Sequence, residues 1–239
     1  TSDPMPRLAL LLPLLLAACG WVDYDALPEG RIKGTVFVMW VGEGSSTEGA
    51  GKFVYVPNPR DPLRLERGEG ATPAEIRPEM IYTDGGSIPK PGQMFKGFSP
   101  WGYAPAYMIH DWLFVARHCL TDAETDPGIP LSEAKLAIKD MDFHESAEII
   151  GEAIKALIAS GQVATNDVAP QVISGAVAGP ISYNRWTVKG ACAADQVTEA
   201  HRAQAEAAIP GAGQRQLRAM TDAKGAPLAP ARIITTLSF

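Results

Sequence analysis

Ala106-Tyr107-Met108-Ile109-His110-Asp111-Trp112-Leu113-Phe114-Val115-Ala116 sets the reading of this fold. The stretch has no helix breaker and carries apolar side chains on nearly every side. A helix that is apolar all round belongs inside a core. His110 and Asp111 are its polar interruptions, and a buried charge must be paired, hydrogen-bonded or metal-bound.

Upstream of this helix the pattern is that of strands. Arg31 to Trp40, Lys52 to Val56 and Met80 to Tyr82 are rich in β-branched and aromatic residues. A short strand is expected near Leu63-Arg64-Leu65 within an otherwise irregular stretch. Downstream, helices take over. Ser132 reads as the N-cap of a long helix to about Ser160. Further helices are expected over Asp167–Ala178 and Ala193–Ala208, and a terminal strand over Arg232–Phe239. Strands followed by helices indicate an α+β fold, a small antiparallel sheet from the N-terminal half packed on a helical bundle. The expected organisation is a leader over 1–18, a linker over 19–30, a core domain over 31–190 and an extension over 191–239.

The 239 residues carry a formal charge of −6, with 46% hydrophobic and 20% charged residues. That apolar share excludes a wholly disordered chain. No basic stripe exists to neutralise phosphates, so nucleic acid is not an expected partner. Three cysteines are too few for a disulfide scaffold. Met5 to Gly20 reads as a secretory leader, with Arg7 before a short apolar run that Pro13 interrupts. Leu16-Ala17-Ala18-Cys19 resembles the lipobox of bacterial lipoproteins, which implies cleavage before Cys19 and lipid on its sulfur. The expected place is the bacterial envelope, anchored to the membrane through Cys19 on the periplasmic side. Cys119 and Cys192 remain, either as a disulfide or as two buried thiols.

Leu136, Phe143, Ala147, Ile150, Ile154 and Leu157 follow helical spacing as a core stripe, with Asp140 as the one acid in it and His144 at its edge. Two antiparallel helices would then set His110-Asp111 against Asp140. An imidazole held by a carboxylate is a general base. Thr83-Asp84-Gly85-Gly86-Ser87-Ile88-Pro89 is a tight turn after a strand. Its two glycines permit close approach of a ligand, with Thr83 and Ser87 adding hydroxyls. The alternative is that His110, Asp111 and Asp140 are struts with satisfied hydrogen bonds. His118 reads as a partner of the helix C-terminal dipole, and His201 as solvated. Tyr183-Asn184-Arg185-Trp186 reads either as a pocket lining or as an aromatic corner.

The Thr83–Pro89 turn, the His110–Phe114 helix and Asp140-Met141-Asp142-Phe143 resemble the domain of unknown function 1353 family of bacterial and phage proteins. That pattern is a T-D-x-x-S-I-P turn, an H-D-x-L-aromatic helix, then an acid before an aromatic residue. The likeness spans roughly Arg31 to Trp186, with Gly85-Gly86 in place of a commoner apolar-small pair. The order of glycine turn, His110-Asp111 and Asp140 is also similar to that of secreted phospholipases, although their flanking cysteines are absent. That similarity implies a histidine base oriented by Asp140, and a divalent cation such as calcium held by Asp84 and Asp111. The expected function is an envelope hydrolase acting on a lipid ester or a cell-wall bond. The alternative is a non-catalytic envelope or phage-related binding protein.

Overall fold

A computed structural model of the chain describes residues 22–42, 51–83, 103–163, 169–211 and 228–239. The leader, Cys19 and the turn from Asp84 to Pro89 lie outside the described residues. Arg31 to Trp40 does not run as one strand. Gly34 stands at φ +95°, a conformation open to glycine, with the Pro62 carbonyl where a Cβ would fall. The chain therefore splits into β1 (Arg31–Lys33) and β2 (Thr35–Val41), which enter different sheets.

The smaller sheet joins β1, β4 (Arg64–Glu66) and β5 (Glu75–Ile76), with Ile32 opposite Leu65 and Leu65 opposite Ile76. The larger sheet has the order β6-β3-β2-β7, built with β3 (Lys52–Pro57), β6 (Ile81–Thr83) and β7 (Arg232–Ser238). Its pairs are antiparallel, with Val38 opposite Tyr55 and Thr35 opposite Ser238. Side chains alternate between its faces with period two. Val36, Val38, Tyr55 and Ile81 pack against the main helical layer. Phe37, Met39, Val41, Val54 and Val56 form a second core on the other face.

The buried helix is α1 (Ala104–Ala123), started by Pro105 in its first turn and buried nearly all round. The long helix expected from Ser132 is instead two. α2 (Glu133–Ala137) is capped by Ser132, and α3 (Phe143–Ala159) starts afresh at Asp142, whose carboxylate accepts from the Glu145 amide at 2.8 Å. Asp142 and Glu145 stand at capping-box spacing, which favours a new helix start over continuation. The break moves the phase, so Ile138 and Met141 enter the core while Leu136 is exposed. Arg67, after β4, makes a bidentate bond to Glu152 of α3 at 2.9 and 3.0 Å and a further bond to Glu145 at 2.6 Å. This pairing offsets the cost of burying these charges.

α4 (Ala169–Val177) matches an expected helix, and α5 (Pro180–Trp186) was not expected. The expected Ala193–Ala208 helix is two, α6 (Cys192–Asp195) and α7 (Glu199–Ala208), because Thr198 caps a new start. Val197 and Ala205 cover the second face of the larger sheet. The described residues after 190 are thus built into the fold: β7 completes a sheet edge and α7 forms a layer.

Candidate functional site

Tyr103, Tyr107, His110, Phe114 and Arg117 recur at three- and four-residue spacing, so α1 and its leading residue carry them on one stripe. His110 is 6% exposed, and its Nε2 has no hydrogen-bond partner among the described residues. Nδ1 lies 3.7 Å from the Asp111 carboxylate, beyond hydrogen-bond reach. The Asp111 side chain is 41% exposed and faces outward. The ring packs on Phe114 at 4.9 Å between centroids. The hydroxyls of Tyr103 and Tyr107 are likewise buried without a partner among the described residues. Burial, then Tyr103 and Asp111, pushes the Tyr107 phenol up. Burial, with Tyr103 and Asp25, pushes the nearby Tyr24 phenol up to about 12. These hydroxyls stay neutral donors at ordinary pH. A buried polar group is normally hydrogen-bonded, so three unpaired ones on one stripe need an explanation.

Asp140 is not part of this site. It stands 86% exposed in the linker between α2 and α3, paired with Lys139 at 2.7 Å. The capping box at Asp142 breaks the helical phase that would have turned it inward. His144 is also largely exposed, 3.5 Å from Glu148. Thr83 ends β6 and shares the sheet face of Ile81, the face toward α1. Asp84, Gly85, Gly86 and Ser87 lie outside the described residues. Among the described residues no cluster of three or more His, Cys, Asp or Glu is placed to hold a metal ion. Asp111 thus has no donor set beside it among them.

His118 has the opposite surroundings to those expected at an open helix end. It is fully buried, with Nδ1 2.5 Å from Asp195 Oδ2 and Nε2 2.7 Å from the Arg185 carbonyl. A carbonyl only accepts, so Nε2 donates to it, and Nδ1 forms the second hydrogen bond with the Asp195 carboxylate. Arg185 closes on Asp195 at 3.2 Å. Next to it Cys119 and Cys192 form a disulfide, with the Gln196 amide against both sulfurs. The amides of Cys192 and Gly190 donate to Asp122, which holds its carboxyl below the usual carboxylate range. His201 is not free in solvent either: its Nδ1 is 2.7 Å from the Tyr82 hydroxyl, and burial, then Lys52, lowers its pKa.

A pocket of about 540 Å³ opens where α1, the α2–α3 linker and α5 meet. Tyr183 and Trp186 line it with Phe143 and Arg117, whereas Arg185 turns away to Asp195. Arg117 carries no signal of its own in the sequence, whereas Phe143 stands out there as a core-stripe position and as the aromatic residue of the Asp140–Phe143 segment.

Together these features define a two-sheet α+β protein with a buried histidine centre on its innermost helix. In comparison with known proteins, no family model matches the chain, no curated protein matches its sequence and no solved structure matches its fold.

Proposed function

We propose that the protein is a lipid-anchored protein of the bacterial envelope that hydrolyses a lipid ester or a cell-wall bond, with His110 as general base. The observation that carries this reading is the buried His110 Nε2, without a partner among the described residues, beside the Tyr103 and Tyr107 hydroxyls in the same state. An imidazole nitrogen held in apolar surroundings and left unpaired is available to take a proton from water or a substrate hydroxyl. Neutral tyrosine hydroxyls donate to an oxygen that gains negative charge. Asp111 lies next to the ring, 3.7 Å from Nδ1, and is partly open to solvent. Asp140 has no role in this arrangement. The Cys119–Cys192 disulfide supports export to an oxidising compartment. It leaves Cys19 as the remaining cysteine, in the setting of a lipobox. The likeness of the Thr83–Pro89 turn and the His110–Phe114 helix to the domain of unknown function 1353 family belongs to the same reading.

One observation favours the alternative, a non-catalytic envelope or phage-related binding protein: among the described residues no carboxylate within hydrogen-bond distance orients the His110 ring. Purified protein assayed on nitrophenyl esters and on peptidoglycan separates the two. Hydrolysis that falls by about 10²-fold in His110→Gln, with an unchanged melting temperature, supports the base. No turnover by the wild type on either substrate class, or full turnover by His110→Gln, overturns it.

A further inference from the structure

The pocket between α1, the α2–α3 linker and α5 is separate from His110, and its chemistry is different. Tyr183 is 52% exposed yet is not free to swing: its ring meets Phe143 edge-on, at 5.3 Å and 75°. Phe143 in turn leans on Trp186 at 6.2 Å, and Trp186 packs on Phe114 at 5.1 Å with the Arg117 guanidinium 5.7 Å from its ring. An aromatic ring left half in water but braced by a chain of other rings is a pre-organised contact surface. Ordering it on binding costs little entropy.

The rim points to the ligand. Arg117, Lys139 and Lys189 supply cations, while Glu124, Asp140 and Asp142 supply carboxylates. The charges cancel, so the site has no net field to draw in an anion or a cation. It presents donors and acceptors side by side, with the Thr121 hydroxyl able to act as either and the Thr187 hydroxyl, which donates to the Tyr183 carbonyl at 3.2 Å, able to accept. An acyl chain would strip water from those charged groups without replacing its hydrogen bonds. A sugar meets both demands. Its hydroxyls donate and accept at the rim, and the C–H face of a pyranose ring lies against an aromatic face whose quadrupole is negative. The volume of about 540 Å³ falls within the usual range for small-ligand sites.

We infer that this pocket binds a neutral oligosaccharide, stacked on Tyr183 and hydrogen-bonded by the mixed-charge rim. The inference does not rest on hydrolysis at His110.

Chitotetraose, cellotetraose and maltotetraose are titrated separately into the full protein. Binding is followed by calorimetry and by the amide shifts of residues 117–124 and 183–189. Saturable binding of at least one of them is expected, weakened about tenfold in Tyr183→Ala and retained in Tyr183→Phe, which keeps the ring face. His110→Gln leaves that affinity unchanged. Saturation by none of the three sugars overturns the proposal. So does equal affinity in Tyr183→Ala, or loss of affinity in Tyr183→Phe to the level of the alanine variant. Binding of anionic lipid vesicles or of a proline-rich peptide at Tyr183, with no sugar bound, also overturns it.

Discussion

Two histidines stand eight residues apart on α1, and their surroundings have nothing in common. His118 has both ring nitrogens engaged, by Asp195 and by the Arg185 carbonyl, beside a disulfide. His110 is buried almost as deeply, yet its Nε2 is unpaired among the described residues and its nearest carboxylate is 3.7 Å away. Burial alone therefore does not mark a functional histidine. A satisfied imidazole holds elements together; an unsatisfied one costs stability that the fold could recover with an apolar residue. That cost is the signature looked for when a group is retained for chemistry.

The widest gap between the two ends should come from the disulfide. Cys119 and Cys192 are 73 residues apart, so breaking the bridge in Cys192→Ala costs about 4 kcal/mol from loop entropy. Urea unfolding with and without reductant measures it, and a loss under 1 kcal/mol would break the comparison. His118→Gln comes next, at about 3 kcal/mol, because it removes the buried partner of Asp195, leaving it only Arg185, and leaves a buried carbonyl unpaired. Thermal melts of this variant and of Asp195→Asn should give losses that do not add, since both remove one interaction.

pH sharpens the contrast at the His118 end. The Asp122 carboxyl is held below its ordinary range by the amides of Cys192 and Gly190. A depressed acid contributes stability above its unfolded value, and that contribution is lost as pH falls through its folded value. The stability difference between wild type and Asp122→Asn should therefore shrink as pH drops below the usual carboxylate range. A difference that is constant with pH would remove Asp122 from the account.

At the other end the effects should be small or reversed. His110→Leu should lie within about 1 kcal/mol of wild type, or exceed it, because it replaces an unpaired polar group with an apolar one. A loss of 3 kcal/mol would make His110 a strut like His118. Asp140→Asn should change stability by less than about 0.5 kcal/mol, as expected for an exposed linker residue.

The α+β order was legible because local composition carries it: β-branched runs at 35–41 and 52–57, then an apolar helix. The burial of His110 was legible for the same reason. The separation of Asp140 from His110 was not. Periodicity continued unbroken through Asp140, and it outweighed the capping box at Asp142 and Glu145, although both signals were present in the sequence. Gly34 sits inside an ordinary strand pattern in the sequence, since the close approach of Pro62 arises only in three dimensions. His118 shows in the sequence only its place near a helix end, whereas its partner lies 77 residues further on. Contacts at that separation leave no local trace unless the residues are cysteines.

The position of β7 also sets an order of events. Phe239 exchanges backbone hydrogen bonds with Gly34, and Thr35 pairs with Ser238. One edge of β2 therefore stays open during synthesis until β7, far along the chain, has been made. An open edge is a template for a strand of another molecule. A chain that loses β7 would present that edge permanently, and a short deletion there would be felt as self-association at β2.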